Sequence, residues 1–431
     1  MEKSYETRIV NYALQTCGFY PLRAMQRWLI DTHFNKAKST MMNAGGLAKL
    51  DDSIDLERLA KAATDLLNAY DIFRARLIFH PGTNDLCQRF DGEITPVTVE
   101  KISDEEFERR KKFLMEPYRL IDRPLYRFYL FETPTAKYIY IDFYHAIMDG
   151  SAITILFWRE LDMRYRGKKI TRQPLNYADF ILDELKISPD ELAEGNRFWR
   201  EMLSDFDETR HLPPPDIKNL QAWHQEHIIV DIENIRSNHF ANVDYMENVF
   251  FLAASMLTIA KTTDAPNIVM SWLHNGRNTA QERRLMGLML EQFPISWDFE
   301  KDLSVEDFLS GLEAKIQTGM RYRRSLGKIY EEGLEDDCAT FIFQKRALGA
   351  LNEMIFDGKP AALIELPPNE ISAAENSLDI ELNLGDDDRY FIELDYDASR
   401  YSETAMKNFA ATFDEMILAL QDETRMISEI L

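Results

Sequence analysis

The feature that most constrains the fold is a change of hydrophobic period at Gly150. Two runs rich in aromatic and β-branched residues, 125–131 and 138–144, flank the turn sequence ETPTA and predict an antiparallel hairpin. After Gly150 the apolar residues follow a helical spacing, at Ile153, Leu156, Phe157, Leu161 and Tyr165. A strand, a tight loop and a helix in direct succession favour a layered α/β fold.

The rest of the chain has the same mixture. Amphipathic helices are predicted at 20–30 and 55–70, and the second leads into an alternating strand pattern at 73–79. In the second half, helices are predicted at 245–263 and 402–421. Strand runs lie between them, at 267–273, 338–344, 377–384 and 389–396. Both halves therefore combine helices with strands.

Prolines and polar residues cluster around ITRQPLNYADF and RHLPPPDIKNL, with a helix ending NRFWREML between them. The chain has 431 residues, 45% of them apolar, which is long for one domain of about 100–200 residues. We predict an N-terminal lobe at 1–175, a connecting helix and linker at 176–215, and a C-terminal lobe at 216–431.

The charge of the chain argues against polyanionic partners. Fifty basic and 73 acidic side chains give a formal net charge of -23, which repels nucleic acid and anionic membranes. The stretches ERRKKF at 108–113 and RYRRSLGK at 321–328 are local basic exceptions. Each is either a dock for a small acidic protein or an ordinary solvated helix face.

Three widely spaced cysteines, Cys17, Cys87 and Cys338, fit neither a disulfide framework nor a CxxC site, so a reducing cytoplasm is expected. The first residues contain no apolar stretch of signal-peptide length, and no window approaches the roughly 18 apolar residues of a membrane span. His224 and His227 lack further ligands nearby, so no metal site is predicted. GxSxG and Walker A motifs are absent, which argues against hydrolase and NTPase activity.

The loop before the helix, YHAIMDG, has two readings. As structure alone, Asp149 or Ser151 caps the helix and Gly150 serves the turn. As chemistry, His145 can take a proton from an amine or a hydroxyl near neutral pH, and the Gly150 N–H can approach an oxyanion. Asp149 then either orients the imidazole, as in a triad, or forms a buried ion pair.

A buried carboxylate needs a partner, because an unpaired buried charge costs several kcal/mol or is protonated. Arg277 in HNGRN follows a strand run in the other half of the chain and is the candidate, reaching across a cleft between the lobes. The alternative is an exposed loop arginine after a turn glycine.

The motifs, in their order along the chain, resemble those of the condensation domains of nonribosomal peptide synthetases, within the chloramphenicol acetyltransferase superfamily. YHAIMDG matches the family's HHxxxDG except that Tyr144 replaces the first histidine, which is mainly a loop-packing residue in the family. Glu291 and Gln292 depart from the usual Asn-Thr of GxxxNTLP. The other matching segments are YPLRAMQRWLI, YDIFRARLIF, YRLIDRPLYRFYLF, YADF, FWREML, HNGRN and MGLMLEQFPI, and the resemblance covers nearly the whole chain.

The resemblance implies two chloramphenicol acetyltransferase-like α/β lobes that form a V-shaped pseudo-dimer with a central tunnel. It makes His145 the active-site histidine, Gly150 the motif glycine, Asp149 a structural aspartate and Arg277 its partner, with Gln344 on the tunnel side.

The function implied is that of a condensation-type acyltransferase, which forms an amide between an amine and an acyl or aminoacyl thioester, with His145 as general base or positioning group. The chain has no GGxS phosphopantetheine site, so the thioester arrives on an acyl or peptidyl carrier protein, or alternatively on coenzyme A. No bound cofactor is expected, and the partners are the carrier and neighbouring synthetase domains of a monomeric protein. Two alternatives stay open: a free-standing O-acyltransferase with an alcohol acceptor, and a non-catalytic docking module.

Overall fold

The computed structural model describes residues 18–35, 37–170, 174–203, 212–217, 224–241, 243, 245–326, 338–345, 353–366, 377–385 and 388–431. The helices are α1 (Ala24–Asn35), α2 (Leu56–Ala69), α3 (Asp104–Lys111), α4 (Trp158–Tyr165), α5 (Tyr177–Glu184), α6 (Pro189–Leu203), α7 (Glu247–Thr263), α8 (Val305–Arg321) and α9 (Glu403–Leu420). The strands are β1 (Asn43–Leu50), β2 (Arg76–Phe79), β3 (Leu86–Arg89), β4 (Val99–Lys101), β5 (Tyr126–Glu132), β6 (Lys137–Tyr144), β7 (Gln225–Arg236), β8 (Asn267–His274), β9 (Glu291–Asp298), β10 (Thr340–Lys345), β11 (Glu353–Phe356), β12 (Lys359–Ile364), β13 (Leu378–Leu384) and β14 (Arg389–Asp397).

The chain forms two compact units that alternate along the sequence. Unit 1 is the described part of Met1–Lys186, Asn275–Leu290 and Leu351–Ser372, and unit 2 is the described part of the remaining three stretches. The predicted α/β class with two lobes is confirmed. Residues 275–290 and 353–366 of the second half belong to unit 1. The lobe boundaries taken from the sequence stay a proposal.

Unit 1 is built on a sheet with the strand order β11-β12-β1-β6-β5-β4, antiparallel except for the β4–β5 pair. The predicted hairpin is β5–β6, and β6 lies between β1 and β5 with Tyr144 opposite Asn43. Helix α2 begins where predicted, because the Asp55 side chain accepts a hydrogen bond from the Arg58 N–H and caps it. Its buried face includes Leu59, Ala63 and Leu66. The β6 strand therefore ends inside a layered core.

One strand is shorter than its alternation predicts. The pattern at 73–79 suggests a single strand, but Asp71–Arg74 is a 3₁₀ turn and only Arg76–Phe79 is extended. The chain leaves α2 through this turn, and Ile72 and Phe73 are both buried in it. Apolar residues on consecutive positions of a turn can imitate part of an alternating pattern.

Unit 2 has a second sheet with the order β7-β14-β13-β10-β8-β9, in which β10 is parallel to both β13 and β8. Helix α7 is buried continuously from Val249 to Ala260, as expected for a helix that is apolar all round. It packs against α8, α9 and strands of the sheet. The predicted β13–β14 hairpin is confirmed, with Leu382 opposite Ile392.

Among the described residues, no helix is both long and apolar enough to cross a membrane.

Candidate active site

The loop that carries His145 is fixed by backbone hydrogen bonds. Tyr144 N–H donates to Leu125 O at 2.8 Å, and His145 N–H donates to Met42 O at 2.8 Å. Ile147 N–H closes a turn onto Tyr144 O at 2.9 Å. His145 is therefore held at the end of β6 and not on a free loop.

The His145 side chain is partly exposed, although its Nδ1 is buried. Within the described part of the chain this nitrogen has no hydrogen-bond partner. Because the buried Nδ1 is out of reach of a substrate, proton exchange with a substrate falls to the partly exposed remainder of the ring, which carries Nε2.

Asp149 is fully buried and accepts three hydrogen bonds from elsewhere in unit 1. Its Oδ1 accepts from Ala152 N–H at 2.7 Å, the bond of a helix N-cap. Its Oδ2 accepts from Arg277 Nη1 at 2.8 Å and from Met289 N–H at 2.7 Å. Asp149 therefore both caps the helix and forms a buried ion pair, the two roles that the sequence suggested for it. Its hydrogen bonds in the described structure do not include His145, so the arrangement is not that of a triad.

Arg277 is also buried, at 8% exposed, and it has hydrogen-bond partners besides Asp149. Its Nη2 donates to Gly287 O at 3.0 Å, and its Nη1 also reaches Asn275 O at 3.2 Å. The sequence suggested that it approaches from another lobe. Instead, residues 275–290 leave β8, pack with unit 1 and return to β9, so the pair with Asp149 lies within unit 1.

The segment that presents Met289 N–H is itself anchored at the preceding carbonyl. Leu288 O accepts from Tyr177 Oη at 2.6 Å and from Arg23 Nη1 at 2.8 Å. Arg23 forms a bidentate pair with Glu184, at 2.6 and 2.9 Å, on helix α5. Asp71 caps the same helix by accepting from Tyr177 N–H at 2.8 Å. These contacts tie the YADF and YPLRAMQ motifs to the Asp149 site.

Tyr144 points into the core of unit 1 and is fully buried. Its ring meets that of His33 edge-to-face, with 5.4 Å between centroids, and its Oη reaches Leu29 O at 3.4 Å. Burial raises the pKa of Tyr144 above its ordinary value. The side chain occupies a packing position in the core of unit 1.

Gly150 is the first residue of the helix that follows the loop. As one of the first N–H groups of the helix, the Gly150 N–H has no acceptor within the helix. The Gly150 carbonyl accepts a hydrogen bond from Thr154 Oγ1 at 2.8 Å. The turns that follow, Ala152–Phe157, are wound as a π-helix before α4 begins. π-helical turns are rare in proteins, and those that occur are often found at functional sites.

Unit 2 contains the predicted tunnel residue Gln344, which is partly exposed on β10 opposite Asn383 of β13. Glu381 lies two residues before Asn383 and accepts a hydrogen bond from it at 3.2 Å. Burial raises the pKa of Glu381 to about 7, while the hydrogen bond from Asn383 lowers it and the charges of Glu393 and Asp395 raise it further. The sequence reading did not single out Glu381. The signal was available in the alternation of DIELN and FIELDY, which puts these carboxylates on one face of the hairpin.

The two basic stretches carry their own counter-charges. In α3, Arg110 pairs with Glu100 and Glu106, and Lys111 pairs with Glu108 at 3.2 Å. In the second stretch, Arg323 Nε lies 3.4 Å from Glu291 Oε1, one of the two residues that depart from the family motif. The other, Gln292, donates to Ser271 Oγ at 2.5 Å. Local neutralisation weakens the first stretch as a dock for an acidic partner.

Among the residues that the structure describes, no group of three His, Cys, Asp or Glu side chains is placed to hold a metal ion.

Comparison with known proteins agrees with this architecture. The sequence model of the condensation domain matches residues 16–429. Tyrocidine synthase 2 of Brevibacillus parabrevis is 24% identical over 311 residues, which are 67% of this chain and 8% of that protein. Gramicidin S synthase 2 of Aneurinibacillus migulanus is 22% identical over 312 residues, 68% of this chain and 7% of that protein. The chain thus spans less than a tenth of these relatives' length.

Solved structures share the fold. The condensation domain from the Monacolin K polyketide synthase MokA has a TM-score of 0.74 at 16% identity and covers 95% of this chain and 99% of its own. A chain of the complex of the X-domain and OxyB from teicoplanin biosynthesis has a TM-score of 0.74 at 17% identity, covering 96% of both chains. The epimerization domain from the third module of tyrocidine synthetase B reaches 0.71 at 14% identity, covering 96% of this chain and 98% of that one. From the match of the sequence model over nearly its whole length, the chain belongs to the condensation domain family of nonribosomal peptide synthetases.

Proposed function

We propose that the protein is a condensation-type acyltransferase that joins an amine to an acyl or aminoacyl thioester, with His145 as the group that accepts the amine proton. The observation that carries the proposal is the His145 ring. It is partly exposed, its Nδ1 has no partner among the described residues, and its loop is held from both sides.

The reaction needs one proton acceptor and one place for a developing negative charge. The amine nitrogen attacks the thioester carbonyl carbon while His145 takes a proton from it. The carbonyl oxygen becomes an oxyanion, and the Gly150 N–H at the helix N-terminus is the donor proposed to stabilise it. The tetrahedral intermediate collapses with a new C–N bond and a broken C–S bond. The thiolate leaves, and the imidazolium returns the proton to it as a thiol.

Asp149 acts in this proposal as an anchor of the loop. Its oxygens are occupied by Ala152, Arg277 and Met289, so they hold the helix start and the 275–290 segment together. Among the described hydrogen bonds, none lets Asp149 stabilise a His145 imidazolium. Positioning of the reactants supplies much of the barrier reduction in such a site, because misplacement by about 1 Å can cost about 100-fold in rate.

The thioester donor is proposed to arrive on the phosphopantetheine of a carrier protein. The curated relatives are synthetases of gramicidin and tyrocidine, of which this chain covers a small part. A chain of this size within such an assembly would meet its substrates on carriers and beside other domains. Coenzyme A thioesters are the alternative donor and form an arm of the test.

The test uses the purified chain with acyl thioesters of two to twelve carbons, loaded either on a phosphopantetheinylated carrier protein or on coenzyme A. Each donor is offered an L-amino acid and, in parallel, the α-hydroxy acid with the same side chain. We expect amide product with the amine and little ester, and loss of at least about 100-fold in rate for His145→Ala. His224→Ala, at an exposed histidine of unit 2, is the matched control and should keep the parent rate.

Each other outcome has a defined meaning. Ester formation in preference to amide would replace the proposal with an O-acyltransferase. Carrier binding without product from either acceptor would make the chain a docking module. Equal turnover by His145→Ala and by the parent would remove His145 from the chemistry.

A further inference from the structure

The helix motif YPLRAMQRWLI contributes a buried side chain to the loop of His145. Gln26 on α1 is fully buried, and its Nε2 donates to the carbonyl oxygen of Ala146 at 2.9 Å. Ala146 is the residue directly after His145. The backbone around the histidine is therefore fixed on one side by Met42 O and on the other by the Gln26 amide.

The orientation of the Gln26 amide is determined by its partners. Its Oε1 accepts from Arg23 N–H at 3.0 Å, which only a carbonyl oxygen can do, and its Nε2 faces the Ala146 carbonyl, which only a donor can satisfy. The bond to Arg23 is the reach-back bond of a helix N-terminus, as in a capping box. One amide thus joins the first turn of α1 to the active-site loop.

A second buried amide supports the first without touching the loop. Gln88 on β3 is fully buried and donates to Gln26 Oε1 at 2.9 Å and to Pro21 O at 2.8 Å. Gln26 Nε2 returns a bond to Gln88 Oε1 at 3.2 Å. Both donors and both acceptor positions of the Gln26 amide are used, and two of the four contacts, with Arg23 N–H and Ala146 O, do not involve Gln88 and remain in a Gln88 variant.

We propose that Gln26 is a positioning residue that acts through the Ala146 carbonyl to hold the His145 imidazole in its reactive place. This inference rests on the proposed function of His145 and adds a residue 119 positions away in the chain to the site. If the Gln26 amide only stabilised the core, its loss would affect the rate no more than the loss of the Gln88 amide. Of these two amides, Gln26 is the one whose described hydrogen bonds reach the loop.

The test compares Gln26→Met with Gln88→Met, since methionine keeps the length of the side chain and removes the amide. Both changes leave buried polar groups without partners and should lower the free energy of unfolding by about 1–3 kcal/mol. We expect kcat to fall about 10- to 100-fold in Gln26→Met, with KM within about twofold of the parent, and to change less than about threefold in Gln88→Met. Equal losses of kcat in the two variants would overturn the positioning role.

A second readout does not depend on turnover. The eight histidines are labelled with ¹³C at Cε1, and the His145 signal is identified by its absence from His145→Ala. We expect Gln26→Met to shift this signal, and Gln88→Met to leave it near the parent value. If the parent shows no transferase activity, the proposed function fails while this spectrum still decides the inference. An unmoved His145 signal in Gln26→Met overturns it.

Gln26→Glu serves if Gln26→Met does not fold. Burial raises the pKa of a carboxyl group, and the protonated acid can donate to Ala146 O while it accepts from Arg23 N–H. The His145 signal should therefore match the parent at low pH and depart from it as the new carboxyl group ionises. A signal that differs from the parent at every pH, or that never departs from it, would contradict the role assigned to the donor.

Discussion

The Asp149 carboxylate and the Arg277 guanidinium form a buried ion pair, with Oδ2 and Nη1 at 2.8 Å, between residues 128 positions apart in the chain. Removing the charge of Asp149 leaves Arg277 buried without its counter-ion. We expect Asp149→Asn to lower the free energy of unfolding by about 3–5 kcal/mol, because the new NH2 group also faces other donors, either the Ala152 N–H or both Arg277 and the Met289 N–H. Chemical denaturation followed by circular dichroism measures this change.

The matched control is an exposed ion pair on a helix of the same unit. Lys61 and Asp65 form such a pair at 2.7 Å on α2. Asp65→Asn should cost no more than about 0.5 kcal/mol, since water solvates both charges. If the two substitutions cost the same, the Asp149 pair does not anchor the loop.

Gly276 allows the chain to bring Arg277 to Asp149. Its φ is +65°, and a Cβ at this position would lie 1.7 Å from Met289 O. Gly276→Ala therefore combines a left-handed conformation with a backbone clash and should displace both Met289 and Arg277. We expect a loss of about 2–5 kcal/mol in the free energy of unfolding.

Gly167 separates these two effects. Its φ is +68°, but a Cβ there would meet nothing within 4 Å. Gly167→Ala should cost only the conformational part, about 1–2 kcal/mol. A cost for Gly276→Ala no larger than that for Gly167→Ala would show that the 275–290 segment adjusts without strain.

Tyr144 stands where the family has a histidine, and its burial predicts a structural effect only. Tyr144→Phe keeps the ring against His33 and loses only the long 3.4 Å contact to Leu29 O, so stability should change by less than about 1 kcal/mol. Tyr144→His leaves a void and should cost about 1–3 kcal/mol. Rates per folded molecule, measured with the parent's best donor and acceptor, should be unchanged in both. A rise in rate for Tyr144→His would assign a chemical role to the position.

Glu381 makes the stability of unit 2 depend on pH. Its pKa is raised from an ordinary value of 4.5 to about 7 in the folded state, so the folded chain holds this proton more tightly than the unfolded chain. The stabilisation of the fold that comes from protonated Glu381 is fully present below pH 4.5 and is lost as the pH rises through 7. Between pH 5 and 8, the free energy of unfolding should fall less in Glu381→Gln than in the parent. At pH 8 the two losses should differ by on the order of 1–3 kcal/mol. Thermal unfolding across this range measures the difference, and Glu415→Gln, at an exposed position on α9, should follow the parent curve.

Much of the site was accessible from local pattern. The change of hydrophobic period at Gly150 predicted a strand, a loop and a helix. These are β6, the His145 loop and the π- and α-helical turns that follow. The need of a buried carboxylate for a partner led to Arg277, whose contact with Asp149 the structure contains. Both inferences depend on forces that act on few residues at a time.

The strand β7 was missed for a local reason as well. Its buried residues Ile228 and Ile232 keep the even spacing of a strand, but Ile235 follows after three residues, where the pairing with β14 shifts register between Arg389 and Phe391. A bulge adds a residue to one strand and breaks the period of two on which strand recognition depends. Such a segment looks helical until its partner strand is known.

The sequence by itself determined the α/β class, most of the helices and hairpins, and the identity of the residues that can carry chemistry, because period, capping and side-chain type are local properties. Only the tertiary structure decided that Asp149 is held by Arg277, Met289 and a helix N-terminus and not by His145. It also decided that Tyr144 packs in the core, and that Gln26 reaches the Ala146 carbonyl. Apart from the cap bond between Asp149 and Ala152, these contacts join residues more than a hundred positions apart, and a hydrogen bond forms only where folding brings a donor and an acceptor within about 3 Å.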